Sequence, residues 1–307
     1  MATTSKFIKY TWLLVWSPFI ILFLVLTLIS CEIFFDLPSV EELQNPKSNL
    51  ATVINSCDGK TLGKYYAENR VSVKYYELDK DLVDALIATE DARFKEHSGV
   101  DLRALGRAVF GALTGKSSSG GGSTLSQQLA KMMFPRQKLS KPKMIIQKLK
   151  EWVIAARLEK TYTKDEILSL YLNKFDFLNQ AVGVKSAAQI YFNRSQDSLE
   201  IQQAAMLIGM AKNPSLFNPI KKADTTLHRR NVVMMQMVVN GSLTKEKYDS
   251  LKKLPLGIIY HPEDHNDGLA PYFREYLREY FLKSWCEKHI NPETNKPYNI
   301  FLWLMYH

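Results

Sequence analysis

Residues 78–101 read Leu-Asp-Lys-Asp-Leu-Val-Asp-Ala-Leu-Ile-Ala-Thr-Glu-Asp-Ala-Arg-Phe-Lys-Glu-His-Ser-Gly-Val-Asp, and the first half of this stretch decides the fold class. Leu82, Ala85, Leu86 and Thr89 recur at the i, i+3, i+4, i+7 spacing of one helix face. The second half, Glu90 to Asp101, gathers acids, Arg93 and His97 at the end of that amphipathic helix. A Glu at a helix end beside Phe94 can be partly desolvated, which suits a carboxylate to proton transfer. A capped, salt-bridged helix terminus explains the same composition, so this segment alone leaves both readings open.

Helical patterns continue from here to about residue 288. Thr124 with Gln127, and Thr163 with Glu166, have capping-box spacing. Asp197 or Ser198 is placed to cap the apolar stretch Ile201 to Met210, and Pro214 and Pro219 break the chain after it. His228 to Val239, Leu243 to Leu251 and Phe273 to Trp285 are further helical candidates. On the N-terminal side the character differs. Residues 32–77 read as a stalk, in which Thr52-Val53-Ile54 and Val71-Ser72-Val73 are strand candidates flanking the turn pair Asp58-Gly59. No internal repeat is visible, and Ser117 to Gly122 is too short for an interdomain linker. The expected organisation is a mainly α domain over 78–255, followed by a linker-like region over 256–307.

Tyr10 to Cys31 is an uncharged, apolar run of the ~20-residue length a membrane-spanning helix needs. Lys6 and Lys9 precede it and Glu32 and Asp36 follow, so residues 1–9 are expected in the cytoplasm and the remainder outside. The run exceeds the ~7–15 apolar residues of a cleaved signal peptide, which favours an uncleaved anchor over 10–31. Leu28-Ile29-Ser30-Cys31 also resembles a lipoprotein-processing box. The whole chain has 307 residues, is 46% hydrophobic, and carries 40 Lys plus Arg against 31 Asp plus Glu, a net +9. This composition excludes a disordered chain, a collagen-like fibre and a disulfide miniprotein. Cys31, Cys57 and Cys286 lack metal-ligand spacing, and unpaired thiols are expected over a Cys57–Cys286 bridge.

The charge is concentrated. From Lys131 to Lys164 ten Lys or Arg face only Glu151 and Glu159. In an extracytoplasmic, tethered domain nucleic acid is not the expected partner, and a phosphate-bearing lipid suits the run better. Two segments frame it. Gly120-Gly-Gly-Ser-Thr-Leu-Ser-Gln-Gln-Leu-Ala-Lys131 places glycines before a capped helix N-terminus, an arrangement that binds anions. It lacks Walker A spacing. Gln127 and Lys131 share a face at i,i+4. In Gln147-Lys148-Leu149-Lys150-Glu151, Lys148 and Glu151 are three apart on one face. A flexible turn before a plain helix and an ordinary surface ion pair are the bland alternatives.

Taken together and in this order, the segments resemble the peptidoglycan glycosyltransferases of glycosyltransferase family 51, the polymerase domains of class A penicillin-binding proteins. The first matches Glu-Asp-x-x-Phe-x-x-His-x-Gly-x-Asp at every fixed position, and the second matches Gly-Gly-Ser-Thr-x-x-Gln-Gln-x-x-Lys. The third matches Arg-Lys-x-x-Glu except that Gln147 replaces the Arg. Ile167-Leu-Ser-Leu-Tyr-Leu-Asn173 and Gly183-Val-x-x-Ala-Ala-x-x-Tyr-Phe192 resemble two further family segments.

The resemblance implies a mainly α, lysozyme-like glycosyltransferase domain in the bacterial inner membrane, with a small β-containing stalk and one N-terminal transmembrane helix. Its implied reaction polymerises lipid II into glycan strands with inversion and release of undecaprenyl diphosphate. Lipid II, the growing strand, the membrane and other cell wall synthesis proteins are the implied partners. Glu90 is the implied general base, and Glu151 is the second implied catalytic acid, orienting cations or a divalent ion (Mg2+ or Mn2+). Asp91, Arg93, His97, Arg107, Ser123, Thr124, Gln127, Gln128, Lys131 and Lys148 are the implied substrate-binding residues, and no organic cofactor is implied. Class A proteins continue into a transpeptidase domain, and this chain stops at His307. Ser140 with Lys143 and Ser242 with Lys245 have the spacing of an acyl-enzyme Ser, but neither is followed by Lys-Thr-Gly, so no acylation by penicillin is expected. The rival functions are a glycan-cleaving enzyme, which needs no diphosphate site, and an inactive lipid II-binding scaffold, which Gln147 keeps open.

Overall fold

The computed structural model describes residues 2–30, 52–55, 57–58, 61–65, 72–115, 122–134, 141–262, 271–291 and 296–297. The described chain is mainly helical and divides into two compact units, residues 1–45 with 97–163 and residues 46–96 with 164–307. The expected 78–255 domain contributes to both.

The first unit contains α1 (Ala2–Ser30), α2 (Leu102–Thr114), α3 (Leu125–Met133) and α4 (Lys141–Thr161). Asp101 starts α2 by accepting from the amides of Arg103 at 2.9 Å and Ala104 at 3.0 Å, which satisfies two of the orphan N–H groups of the first turn. Thr124 starts α3, accepting from the Gln127 amide at 3.2 Å as its spacing predicted. The reciprocal half of the box does not form, because the Gln127 amide group donates to Gly99 instead. Helices α3 and α4 pack through Leu125, Leu129, Ile154, Ala155 and Leu158, all buried. α1 packs on α4, and its last carbonyl, Ser30 O, accepts from Arg157 Nη2 at 3.0 Å. Among the described residues no helix is long and apolar enough to cross a membrane. The expected span at Tyr10 to Cys31 is therefore not shown; what stands there is one unbroken helix of 29 residues. Trp12, Leu13, Leu14, Trp16 and Phe23 on it are exposed, while Ile29 near its end is buried.

The second unit is built on α5 (Lys80–Glu90), α6 (Lys164–Lys174), α7 (Val184–Phe192), α8 (Ile201–Ala211) and α9 (Ala223–Val239). α8 is apolar nearly all round, and such a helix belongs in a core. It lies against both α5 and α9, which also touch each other. Leu82, Leu86, Ala204, Leu207, Ile208, Val233, Met234 and Met237 fill the space among the three. The cap of α8 is a correction to the sequence reading. Glu200, not Asp197 or Ser198, occupies the N-cap, and Gln203 Oε1 accepts from its amide at 3.0 Å. Beyond α9 lie α10 (Lys245–Leu251), α11 (Pro271–Tyr276), a π-helical stretch Leu277–Leu282 and α12 (Lys283–Lys288).

A hairpin pairs β1 (Thr52–Asn55) with β2 (Thr61–Tyr65), antiparallel, with an irregularity at Ile54/Asn55. The second strand was expected at Val71–Val73. Of that segment Ser72 and Val73 are described, and Val73 finds its partner elsewhere. Asn173 of α6 holds both polar groups of Val73, accepting from its amide at 3.0 Å and donating to its carbonyl at 2.8 Å. Ser169 donates to the same carbonyl at 2.6 Å. Two side chains on a helix thus satisfy a backbone that a sheet would otherwise have to pair. Two short strands, β3 (Ile290–Asn291) and β4 (Lys296–Pro297), form a second antiparallel pair. Cys57 is exposed, Cys286 is buried, and neither is in a disulfide; Cys31 lies outside the described residues.

Candidate active site

The predicted site residues divide between the units: Glu90, Asp91 and Arg93 belong to the second, and the other candidates to the first.

Glu90 is the last residue of α5, and its side chain is only 14% exposed. Asp91 follows at the C-cap, buried, with its backbone leaving the helix. Its carbonyl accepts from the Phe94 amide at 2.9 Å, closing the turn that puts the Phe94 ring fully into the core. Lys164 Nζ lies 4.3 Å from the centre of that ring. A carboxylate in the last turn of a helix faces the negative end of the helix dipole, so a nearby cation is to be expected. The cation comes from α9: Arg229 Nη2 lies 3.9 Å from Glu90 Oε1, with the Arg229 side chain 12% exposed. Sequence reading missed this residue, which lies far along the chain from Glu90 and in no motif considered. Burial lowers the Arg229 guanidinium, and the Glu90 charge works against that lowering. Tyr171 of α6 is in the same neighbourhood. Burial raises its phenol, and the negative charge of Glu90 adds to the rise. The phenol is thereby kept neutral beside the carboxylate.

In the first unit the candidates converge on the loop before α3 and on the face of α4. Gly99 is the joint. Its φ of +92° is open to glycine, and a Cβ there would stand 2.9 Å from the backbone of Ala155 and Ala156. Its carbonyl accepts from Thr124 Oγ1 at 2.6 Å and Gln127 Nε2 at 3.3 Å. Thr124 and Gln127 are both buried, and Gln127 Oε1 has no hydrogen-bond partner among the described residues. Lys148 Nζ donates to Ser123 Oγ at 2.8 Å and reaches Glu151 Oε2 at 3.3 Å. Glu151 is 1% exposed. An ammonium between a hydroxyl and a buried carboxylate is held in place while a third of its side chain stays open. Ser126 donates to Glu159, tying α3 to α4 a second time. Gln128 and His97 are half-buried, while Lys131 and Arg107 are exposed. Gln147 sits one residue before Lys148 on α4, half-buried.

No three of His, Cys, Asp or Glu cluster among the described residues. Glu151, the acid on this face, is paired to Lys148. A divalent cation here would draw most of its ligands from substrate oxygens. Ser242 and Lys245 do not form a nucleophile pair: Ser242 donates to the Met237 carbonyl at 3.2 Å, and Lys245 pairs with Asp249 at 3.5 Å.

The second unit thus holds a largely buried carboxylate beside a cation, and the first unit a hydroxyl and an ammonium at the loop before α3 and on α4. The sequence matches the family described as Transglycosylase over residues 58–238, more than half the chain, and the chain belongs to that family. It is 37% identical over 251 residues to penicillin-binding protein 1A of Escherichia coli strain K12, which covers 82% of this chain and 29% of that protein. It is 36% identical over 285 residues to penicillin-binding protein 1A of Vibrio cholerae serotype O1, covering 92% of this chain and 34% of the relative. Penicillin-binding protein 1F of Bacillus subtilis strain 168 is 34% identical over 220 residues, 72% of this chain and 30% of that protein. The crystal structure of penicillin-binding protein 1A from Haemophilus influenzae is similar with a TM-score of 0.42 and 25% identity, over 78% of this chain and 25% of that one. The chain thus spans about a third of the length of these relatives.

Proposed function

We propose that the chain is a peptidoglycan glycosyltransferase that polymerises lipid II into β-1,4-linked glycan strands. The observation that carries the reading is Glu90, a largely desolvated carboxylate at a helix end within a family-matched segment. Glu90 acts as general base. It takes the proton from the 4-hydroxyl of the acceptor N-acetylglucosamine as that oxygen attacks C1 of the donor N-acetylmuramic acid. The C1–O bond to the lipid diphosphate breaks, with inversion at C1, and undecaprenyl diphosphate leaves with the electron pair.

The leaving group gains negative charge as the bond breaks, so cations fixed beforehand lower the barrier. Lys148, braced by Ser123 and Glu151, has that fixed placement. Lys131 and Arg107 supply exposed positive charge, and Thr124 and Gln127 hold the loop through Gly99. Asp91, Arg93, His97 and Gln128 complete the substrate-binding set. A divalent cation would add diphosphate neutralisation near Glu151, and no step above requires it.

A lipid-linked substrate places the enzyme at the inner membrane, with the catalytic part extracytoplasmic. α1 supports an anchor there. Its uncharged run Tyr10 to Ser30 lies within one unbroken helix and, at 1.5 Å per residue, extends about 30 Å, the thickness of a bilayer core.

The test is polymerisation of labelled lipid II by the detergent-purified protein beside Glu90→Gln. Long strands from the parent and none from the variant are expected, since loss of a general base costs roughly 10²–10⁴ in rate. No product from either, with lipid II still bound, would replace this reading with an inactive lipid II-binding scaffold. Shortening of preformed glycan would replace it with a glycan-cleaving enzyme.

A further inference from the structure

Gly209 lies inside α8, buried on all sides, in a helix whose neighbours Leu207, Ile208 and Met210 are core residues. A glycine inside a helix weakens it relative to alanine, so its presence calls for a packing reason. The reason is Arg229. A Cβ on residue 209 would stand 3.1 Å from Arg229 Cγ. The missing methyl is the space through which the arginine stem runs. The Gly209 carbonyl accepts from Arg229 Nε at 3.3 Å, and the guanidinium lies 5.7 Å from the centre of the Phe217 ring. The stem, the Nε and the flat face of Arg229 are thus each held, and Nη2 is left aimed at Glu90 Oε1 at 3.9 Å.

Arg230, the next residue, shows what an arginine without this duty does here. It points elsewhere around α9, is fully buried, and donates to the carbonyls of Leu254 and Pro255 at 2.8 Å each. It also donates to the Asn231 side-chain oxygen, from Nε at 3.1 Å and Nη2 at 3.0 Å, and so meets only neutral acceptors, as a clamp on the segment after α10. Arg229 faces a carboxylate.

At 3.9 Å the Arg229–Glu90 contact is a charge pair rather than a hydrogen bond. Such a pair biases the direction of the carboxylate. In a desolvated setting it acts more strongly than it would in water. We propose that Arg229, seated by Gly209 and Phe217, is a positioning residue that orients the Glu90 carboxylate toward the acceptor hydroxyl. The inference rests on the proposed role of Glu90 as the base. It assigns to α8 and α9 a share in the reaction that no motif residue of the basic segment provides. Misplacement of a reacting group by about 1 Å can cost on the order of 10²-fold in rate, so the effect should appear in kcat rather than in KM.

The experiment measures kcat and KM for labelled lipid II with the full chain in detergent, for the parent, Glu90→Gln, Arg229→Met, Arg229→Lys and Gly209→Ala, with a thermal unfolding curve for each. Arg229→Met is expected to lower kcat about 10–100-fold with KM within about twofold, and Arg229→Lys to regain most of the loss. Gly209→Ala is the sharper test. Alanine suits the helix better but crowds the arginine stem, so kcat should fall several-fold while Tm holds or rises. A merely structural role would move the two together. Parental kcat in Arg229→Met, with Glu90→Gln inactive, overturns the positioning role and leaves the proposed function standing. Activity lost only in step with Tm in both the 209 and 229 variants overturns it equally. Should Arg229→Met fail to fold, parental kcat in both Arg229→Lys and Gly209→Ala overturns it. A parent without activity overturns the proposed function, and this inference with it.

Discussion

The two units hold their functional charges by different means. In the unit of residues 1–45 and 97–163, Lys148 is fixed by Glu151 one helical turn away and by Ser123 on the loop before α3. Those partners sit within motifs, and the i,i+3 spacing announces the pair. In the unit of residues 46–96 and 164–307, Glu90 is met by Arg229, carried on α9, which packs against both α5 and α8. The comparison teaches that a charge braced locally can be read from spacing. A charge braced through the core can be read only once the helices are in place.

The largest expected effect strikes the first unit at its joint. Gly99→Ala would force a left-handed φ on alanine and press its Cβ against the backbone of α4. A loss of about 3–4 kcal/mol is expected in urea unfolding, from overpacking combined with backbone strain. A loss under about 1 kcal/mol would mean that the loop is not locked by Gly99. Next comes the local brace. Lys148→Met removes a cation from a carboxylate that is 1% exposed, at a cost of about 2 kcal/mol. Adding Glu151→Gln should recover part of it, and a double-mutant cycle gives the coupling. Simple additivity would show that the pair is not a brace.

Smaller effects sharpen the second unit. Leu178, Asn179 and Gln180 all have left-handed φ, at 62°, 51° and 66°. Asn tolerates this conformation, whereas Leu pays roughly 1–2 kcal/mol for it. Leu178→Gly should therefore raise stability by about 0.5–1 kcal/mol, because relief of strain outweighs the added chain entropy. A lower Tm would show that the Leu178 side chain matters more than its backbone. The smallest effect is a pH dependence. Burial, then the Glu90 charge, raises the Tyr171 phenol. The fold holds the neutral form, so this contribution is complete below the free-phenol value of about 10 and is lost as pH rises through the folded value. Tyr171→Phe should lose less stability than the parent above about pH 10, and parallel curves there would contradict the assignment.

The same division explains what was legible in the sequence. Local signals held. The spacing of Leu82, Ala85, Leu86 and Thr89 marked α5, Thr124 capped α3, and the basic run fell largely on α4. Signals that depend on competition between partners failed. Val71–Val73 reads as a strand, but Asn173 and Ser169 satisfy Val73 from a helix, and β1 pairs with Thr61–Tyr65. Asp197 and Ser198 are good caps by type, yet α8 starts two residues later, where Gln203 reaches the Glu200 amide. Arg229 was invisible for the strongest version of the same reason. Its role depends on a missing methyl at Gly209, on a third helix. A Gly inside an otherwise apolar helical run was the available clue.

In the proposed reaction labour is divided, with proton transfer on Glu90 and diphosphate handling around Lys148. The direct measurement sets lipid II binding beside strand formation for the parent, Glu90→Gln and Lys148→Met. Glu90→Gln is expected to bind lipid II as the parent does and to make no strand, whereas Lys148→Met is expected to bind more weakly and to lose more product than the weaker binding explains, because its cation meets charge that grows as the bond breaks. Strands from Glu90→Gln at the parental rate, or undiminished lipid II binding and strand formation by Lys148→Met, would contradict that division.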